Sequence, residues 1–447
     1  MTIAPVRPAT YPAPVRAAVP GVRCAGVPAP LVDGRRVEYA NLDHGASAPC
    51  LDAVADAVDE FLPYYASVHR GAGYFSQIST KVYEGARASL RAFTGARERD
   101  AVVFTRNTTD ALNLLAESVP RGTSVVLFDT EHHAALLPWR GRVTHVPTPR
   151  DVHSALSEVD TALAESPEGP RLLVVCGASN VTGELWPVAE LAAIARRHGA
   201  RTVLDAAQLA PHRPVDIRAL DVDYVVLSGH KCYAPYGAGA LIGRADWLNA
   251  AQPYLAGGGA TKLVNEQLGV SWAKVPERHE AGSPNVVGVH ALAVAAKTLG
   301  RSAEAVAEHE NALLDRLRAG LATIPGVREL SLFDGARERV GVVSFTLDGI
   351  ESGLLAAVLS AEHGIGVRDG KFCAHIATGR LLAESGAEAE TAVRVSIGLG
   401  TRAEHIERLL AALRAIVLYG PSWDYAIVDG KYAPSPDPRP LPAFLEE

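Results

Sequence analysis

The stretch YVVLSGHKCY, from Tyr224 to Tyr233, joins a run of apolar, β-branched residues directly to a lysine. The apolar run, which ends at Leu227, is typical of a strand that is buried on both faces of a sheet. Lys231 would then lie where the strand ends, beside Ser228 and His230. Because most lysines are solvated surface charges, two alternatives are open: an exposed loop cation, or an amine held in place for covalent chemistry.

Four further segments share this apolar character and are followed by small or polar residues. They are AVVFT (101–105), SVVLF (124–128), RLLVV (171–175) and RTVLD (201–205). They alternate with helical segments, a pattern typical of a mostly parallel sheet covered by helices. In such sheets ligands bind outside the carboxyl ends of the strands. The polar residues that follow the strands should therefore meet in one crevice.

The sequence divides into four predicted parts. These are an irregular N-terminal arm (1–38), a large α/β domain (39–295), a smaller α+β domain (296–418) and a proline-rich tail (419–447). Proline stands at every second position from Pro434 to Pro442, which predicts an extended, polyproline-like conformation. The last helix of the smaller domain should begin at Thr401, with Glu404 at capping-box spacing.

The composition is that of a soluble globular protein with a sizeable core. Of the 447 residues 48% are hydrophobic and 21% are charged, and the net charge of -7 gives no electrostatic reason to expect nucleic acid. We expect no membrane contact, because no stretch approaches the roughly 20 apolar residues of a span. The N-terminal stretch lacks the apolar core of an export signal. The five cysteines are scattered without metal-type pairing, which favours free thiols, no metal and a cytoplasmic location.

The ends of the predicted strands offer the groups that one cofactor requires. Asp205 ends a strand and Gln208 follows it, while Thr108 and Thr109 open a helical segment whose N-terminus is suited to an anion. Each has an ordinary alternative, since Asp and Thr at such positions most often cap helices. Combined with Lys231, they offer a Schiff-base amine, an acidic partner for a pyridinium nitrogen and a phosphate site. These are the groups that pyridoxal phosphate (PLP) needs from its protein.

The segment 204–243 resembles the cofactor-binding segment of class V, fold type I PLP enzymes. Within that class the chain is most similar, from Asn41 to about Val417, to the SufS-like group of cysteine desulfurases and selenocysteine lyases. The motifs that carry the resemblance are NLDHGASAP, SVHRG, FTRNTTDALNLL, TEHHAALLPW, SNVTG, DAAQ, SGHK, EAGSPN and VRVS. The resemblance implies a mostly parallel, seven-stranded sheet in the large domain, with a smaller α+β domain beside it.

The resemblance also implies roles for individual residues around the cofactor. Lys231 would form the Schiff base and, once released, act as general base. Asp205 would pair with the pyridine nitrogen, and Gln208 would hydrogen-bond the phenolic oxygen. His132 would stack on the ring and move protons. The phosphate would be held by Thr108, Thr109, Ser228 and His230.

Substrate and subunit contacts follow from the same resemblance. Asn180 and Arg394 would bind the α-carboxylate of an amino-acid substrate, for which the planar fork of arginine is suited. Ser283, in EAGSPN, would reach the phosphate of the neighbouring subunit. The resemblance therefore implies a homodimer with shared active sites.

The stretch VRDGKFCAH (367–375) bears on the reaction, because enzymes that share one cofactor site run different reactions. Desulfurases of this group carry an arginine, a glycine and a nucleophilic cysteine here, which Arg368, Gly370 and Cys373 match. Cationic neighbours lower the pKa of a thiol and favour the nucleophilic thiolate. Arg368 would also contact the substrate.

Two features of the same stretch support the alternative that Cys373 is not a nucleophile. Cys373 stands between Phe372 and Ala374, so it could be a small buried hydrophobic residue, as free cysteines often are. The desulfurase pattern has a histidine before the cysteine and a Gln-Pro-like pair soon after it. In this chain the pairs KF (371–372) and HI (375–376) stand at those places.

The leading hypothesis is a PLP enzyme that converts L-cysteine to L-alanine, with the sulfur left on Cys373 as a persulfide for an acceptor protein. A second hypothesis is C–S β-elimination, transamination or epimerisation of another amino acid on the same fold. A third is a PLP-binding protein without catalysis. A mere binder needs no site for a substrate carboxylate, so Asn180 and Arg394 argue against the third hypothesis.

Overall fold

The computed structural model describes residues 18–69, 71–267, 269–333 and 337–445. The strands are β1 (Pro28–Pro30), β2 (Arg36–Glu38), β3 (Ala40–Asn41), β4 (Ala101–Thr105), β5 (Ser124–Phe128), β6 (Arg142–Val146), β7 (Arg171–Cys176), β8 (Arg201–Asp205), β9 (Tyr224–Ser228), β10 (Gly239–Gly243), β11 (Thr261–Val264), β12 (Val270–Trp272), β13 (Val327–Glu329), β14 (Val342–Leu347), β15 (Ile365–Gly366), β16 (Arg368–Gly370), β17 (Ala392–Ser396), β18 (Tyr425–Val428) and β19 (Lys431–Pro434).

The helices are α1 (Asp52–Phe61), α2 (Tyr74–Phe93), α3 (Thr108–Ser118), α4 (His133–Leu136), α5 (Val152–Ala164), α6 (Val188–Arg197), α7 (Ala245–Ala250), α8 (Val286–Arg301), α9 (Ala303–Leu321), α10 (Ser352–His363), α11 (His375–Ser385) and α12 (Ala403–Tyr419). Within the described ranges, no helix has both the length and the apolar composition that a membrane span requires.

A seven-stranded sheet forms the centre of the large unit, in the order β4-β10-β9-β8-β7-β5-β6. Strand β10 is antiparallel to both of its neighbours, and the other neighbouring strands pair in parallel. Successive residues of a strand enter different apolar clusters: Val225 and Leu227 belong to one, and Val226 to another. Because side chains alternate across a strand, both faces of the sheet are buried. The predicted α/β fold with a mostly parallel seven-stranded sheet is confirmed.

The smaller unit is built on the four-stranded sheet β13-β14-β17-β16. Its core includes Leu314 and Leu317 of α9 and Leu409 of α12. Ala40 and Leu42 also pack in this core, because β3 pairs in parallel with β15. These residues, at the start of the predicted large domain, therefore pack in the core of the smaller unit.

Both termini contain more regular structure than the sequence predicts. Strands β1 and β2 form an antiparallel hairpin inside the predicted irregular arm. Strands β18 and β19 form another inside the predicted proline-rich tail, and it ends at Pro434, where the stretch predicted to be extended begins. The predicted capping box, with Thr401 as its first residue, is wrong. Arg402 is the N-cap residue of α12 and its N–H donates to His405 Nδ1, whereas Thr401 Oγ1 accepts from the N–H of Gly398.

Candidate active site

A cavity of about 230 Å³ lies at the carboxyl ends of the central strands. Cys176, Asp205 and Ser228, which end β7, β8 and β9, all line it. Among the residues predicted from the sequence, those that line it are Thr108, Thr109, His132, Asn180, Asp205, Gln208, Ser228, His230, Lys231, Arg368, Cys373 and Arg394. Ser283 does not line it, since it lies in the exposed segment before α8. The fold thus brings together groups from widely separated stretches of the chain.

Lys231 presents its amine to the cavity just beyond the end of β9. Its Nζ donates to Oε1 of Gln208 at 3.3 Å. Burial, assisted by the positive charge of Arg394, lowers the pKa of Lys231 to about 8, against the opposing effect of Asp205. Roughly a tenth of this amine is therefore neutral, and hence nucleophilic, at about pH 7.

Asp205 lies almost completely buried at the end of β8. Its Oδ1 accepts a hydrogen bond from the N–H of Ala207 at 2.9 Å, and burial raises its pKa. A buried carboxyl group of this kind is stabilised when it meets a cationic partner. A protonated pyridine nitrogen would be such a partner.

An anion site is formed by the first turn of α3 together with the end of β9. Asn107 caps this helix, since its side chain accepts from the N–H of Asp110 at 2.9 Å. Ser228 Oγ accepts from the N–H of Thr108 at 2.8 Å and donates to Thr108 Oγ1 at 2.9 Å. The N-terminus of an 11-residue helix, with Thr109 exposed beside it, attracts negative charge.

His132 caps helix α4 on another side of the cavity. Its Nδ1 accepts from the N–H of Ala134 at 3.0 Å, so the proton of the neutral ring lies on Nε2. Burial first, and then the charges of Lys231, His133 and Arg394, lower its pKa to about 4. The ring is therefore neutral at neutral pH and has a donor available at Nε2.

Two arginines bring positive charge to the cavity from the smaller unit. Arg368 and Arg394 are opposite each other in the register of β16 and β17. Arg394 is buried; it donates to the backbone oxygen of Asn180 at 3.0 Å and to Oδ1 of Asp43 at 3.2 Å. Burial lowers its pKa, and in the described part of the chain its Nε has no hydrogen-bond partner. This pair of cations would attract a carboxylate.

Cys373 is exposed and lines the cavity, so the alternative of a buried packing side chain is wrong. Phe372 and Cys373 both have left-handed backbone conformations, with φ of 53° and 54°. Such geometry costs roughly 1–3 kcal/mol for each non-glycine residue and is concentrated at functional sites. Cys232, by contrast, is buried beside Lys231, and burial raises its pKa to about 12.

Backbone contacts hold the turn that contains Cys373 against the large unit. The N–H of His133 donates to the backbone oxygen of Cys373 at 2.8 Å, and Asn180 Nδ2 donates to that of Phe372 at 2.8 Å. The rings of His133 and His375 meet edge to face with centroids 4.6 Å apart. The side chain of Asn180 thus binds the turn itself while it also lines the cavity, so its contact with a substrate carboxylate stays a prediction.

Two acidic residues of the site are absent from the sequence-based predictions. Asp43 pairs with Arg394, and Glu131 lies completely buried beside Asp205 and the backbone N–H of Cys176. Both lie inside motifs that carry the resemblance, NLDHGASAP and TEHHAALLPW. That position was the only signal that sequence offered, because an acidic residue by itself does not reveal its partner.

These residues suit PLP. The buried amine of Lys231, the buried acid of Asp205 and the helix N-terminus at Thr108 match an aldehyde, a pyridinium and a phosphate. Within the described ranges, no group of three or more His, Cys, Asp or Glu side chains is arranged to hold a metal ion.

The fold and the site define a class V enzyme of the aminotransferase type, and sequence comparison identifies the family. The chain belongs to the Aminotransferase class-V family, whose model matches residues 40–409. It is 35% identical over 401 residues to the cysteine desulfurase of Pectobacterium atrosepticum, covering 86% of this chain and 94% of that protein. It is 34% identical over 405 residues to a probable cysteine desulfurase of Vibrio cholerae, covering 87% and 95%.

Solved structures give the same relationship. The apo cysteine desulfurase of Thermococcus onnurineus matches with a TM-score of 0.75 and 31% identity, over 85% of this chain and 95% of that one. The cysteine desulfurase CsdA of Escherichia coli matches with a TM-score of 0.73 and 29% identity, over the same shares. The protein is thus a class V PLP-type enzyme that resembles the cysteine desulfurases.

Proposed function

We propose that the protein is a PLP-dependent cysteine desulfurase, which converts L-cysteine to L-alanine and keeps the sulfur on Cys373 as a persulfide. One observation carries the proposal: the exposed thiol of Cys373 lines the same cavity as the Lys231 amine and the Arg394 guanidinium. The similarity to cysteine desulfurases over 86% of the chain supports it.

PLP, when bound, supplies an electron sink that makes removal of the Cα proton of an amino acid feasible. Lys231 would attach the aldehyde of the cofactor, Asp205 would lie against the pyridine nitrogen, and the first turn of α3 would bind the phosphate. Gln208, already in contact with Lys231, would face the phenolic oxygen. The roles of these residues are part of the proposal.

The substrate would be held and activated by the protein's own side chains. Arg394 and Arg368 would bind its carboxylate, and the amine of Lys231 would take its Cα proton. The neutral ring of His132 would offer the Nε2 proton to the substrate or to the cofactor ring.

Sulfur transfer would take place at Cys373. Its thiolate would attack the sulfur of the substrate, forming a new S–S bond while the Cβ–S bond breaks. The electron pair of the broken bond stays with the substrate carbon, which takes up a proton to become alanine. Because Cys373 is exposed, an acceptor protein could then collect the terminal sulfur.

The test is incubation of the purified protein with L-cysteine, PLP and a reductant, measuring alanine, sulfide and pyruvate together. Cys373→Ser should reduce alanine formation by roughly 100-fold or more, because a hydroxyl remains protonated where a thiolate is needed. Absorbance of the bound cofactor at ~420 nm should be retained. Cys24→Ser, which changes a thiol that does not line the cavity, is the matched control.

Two further results test the attachment of the cofactor and the type of reaction. Borohydride should fix the cofactor to Lys231, and Lys231→Ala should abolish that linkage. Pyruvate formation by the native protein without a persulfide on Cys373 would contradict the proposal and support C–S β-elimination.

We also propose that the enzyme is a cytoplasmic homodimer. Ser283 is exposed outside its own subunit's cavity, as a residue that serves a neighbouring site would be. The cysteines of the described ranges are free, as suits a reducing compartment.

A further inference from the structure

A chain of buried polar groups leads from the Lys231 amine to helix α9. Lys231 Nζ donates to Oε1 of Gln208 at 3.3 Å, and the Nε2 of the same amide lies 3.5 Å from His212 Nε2. His212 Nδ1 is hydrogen-bonded to Oε2 of Glu310. The other carboxylate oxygen, Oε1, accepts from Nη1 of Arg213 at 2.6 Å. The chain thus joins the cavity to a charged group on the smaller unit.

The pair formed by His212 and Glu310 is deeply buried, with each side chain only 4% exposed. Burial by itself would raise the pKa of Glu310, but the nearby His212 and Arg213 lower it, so the carboxylate is ionised. His44, another imidazole that interacts electrostatically with His212, is neutral because burial lowers its pKa to about 4. The charges that bear on His212 are therefore those of Glu310 and Arg213.

With the Gln208 amide oriented as in the structure, the donors and acceptors of this chain have one arrangement. An amide nitrogen only donates, so the contact from Gln208 Nε2 requires His212 Nε2 to accept. The ring must then carry a proton on Nδ1, from which it donates to Glu310. The carboxylate of Glu310 therefore determines whether the oxygen or the nitrogen of the Gln208 amide faces Lys231.

We propose that His212 and Glu310 are positioning residues that set the orientation of the Gln208 amide, with its oxygen toward the Lys231 amine. The proposal rests on the proposed function only in taking Lys231 as the residue that attaches the cofactor. Gln208 is buried and contacts Lys231 on one side and His212 on the other. We therefore expect its amide to respond to a change at His212 by turning over.

Glu310→Gln should reverse the direction of donation along these hydrogen-bonded groups while keeping the shape of the side chain. Arg213 would hold the oxygen of the new amide, so the amide nitrogen would face His212 and donate to Nδ1. The His212 proton would then lie on Nε2, and Gln208 would turn its nitrogen toward Lys231. The Lys231 ammonium would lose an acceptor, which should lower its pKa by about 1 unit.

The test uses the full-length protein before cofactor is added, labelled with ¹⁵N-histidine. The His212 signal is assigned by its loss in His212→Asn. The native protein should show a neutral ring protonated at Nδ1, and Glu310→Gln should show protonation at Nε2. Glu304→Gln, the same change at an exposed site on α9, should leave the native pattern.

Competitive acetylation of Lys231, followed by mass spectrometry across pH, is the second readout. At pH values below the pKa of Lys231, the fraction of neutral Lys231 amine should be about ten times larger in Glu310→Gln than in the native protein. This variant leaves unchanged the other charged or ionisable groups that act on Lys231, which are Asp205, Arg394, Cys232 and Cys373.

Native His212 protonated at Nε2, or the same tautomer in the native protein and in Glu310→Gln, would overturn the proposal. If Glu310→Gln does not fold, the His212 tautomer of the native protein still tests the proposal. PLP uptake is measured separately from absorbance. A protein that binds no PLP but shows the Nδ1 tautomer would refute the proposed function and leave this inference standing.

Discussion

At the residue scale, Glu131 is a group whose acid–base chemistry is strongly altered by its surroundings. It is completely buried; its Oε1 accepts from the N–H of Cys176 at 3.0 Å, and Oε2 has no partner in the described part of the chain. Burial, and then the proximity of Asp205, raise the pKa of Glu131 to about 8. Glu131 is therefore protonated at neutral pH, which leaves Asp205 as the carboxyl group that can carry the charge.

This raised pKa predicts a specific dependence of stability on pH. The unfolded value is 4.5 and the folded value about 8, so between them the folded chain binds more protons than the unfolded chain. The contribution of Glu131 to stability is then fully present below pH 4.5 and falls as pH rises toward about 8. Between pH 6 and pH 8 the loss should be about 2 kcal/mol.

Glu131→Gln should remove this loss, because an amide has no proton to release in that range. Melting temperatures at pH 6 and pH 8 measure the effect, with Glu304→Gln as the control for an exposed glutamate. The decline from pH 6 to pH 8 should be smaller in Glu131→Gln than in the native protein and unchanged in the control. Equal declines in all three proteins would show that Glu131 is ionised in the folded state.

At the scale of elements, the C-terminal hairpin of β18 and β19 is held by one buried carboxylate. Glu362 of α10 accepts from the N–H groups of Ser422 and Trp423, from the Ser422 hydroxyl and, at 2.9 Å, from the hydroxyl of Tyr425. The hairpin lies beyond residue 409, where the match to the family ends. The hairpin is thus attached to α10 at a specific point.

Glu362→Ala should detach the hairpin without unfolding the rest of the chain. It leaves several buried donors without an acceptor, at a cost of about 1–3 kcal/mol for each unsatisfied group. Trypsin should then cleave at Lys431 much faster than in the native protein, as followed by mass spectrometry. Glu384→Ala, at an exposed site on α11, should cleave at the native rate. Native-like resistance in Glu362→Ala would show that other contacts hold the hairpin.

At the scale of the whole molecule, the proposed dimer makes a quantitative prediction. Lys231→Ala and Ser283→Asp each disable a different part of one shared site. If the two variants are unfolded and refolded together, random pairing gives mixed dimers in half of the cases, and each mixed dimer has one intact site. About a quarter of the native alanine formation should return, whereas either variant refolded alone should remain inactive.

Two measurements control this experiment. The molar mass in solution should be twice the 47.1 kDa of the chain. The native protein, unfolded and refolded in the same way, gives the reference activity. A fully active monomer would contradict shared sites, and so would mixed variants that regain nothing while the native protein refolds.

The amino-acid sequence by itself determined the sheet and the position of the cavity. Strands that are apolar on both faces can be stable only between covering layers, and polar residues at their ends must then meet at one edge. These two constraints are enough to bring Lys231, Asp205 and Thr108 to one site. The family resemblance added Cys373 and Arg394, which come from distant stretches that local patterns do not connect.

The tertiary structure alone decided which groups pair and which protons they carry. Asp43 meets Arg394 across 351 positions and His212 meets Glu310 across 98, and no local pattern predicts such contacts. The hairpin in the C-terminal tail was not predicted for the same reason, since hydrogen bonds from Ser422 to the distant Glu362 attach it. Burial depends on the packed whole, so the pKa of Glu131 and the exposure of Cys373 were decided only when the chain had folded.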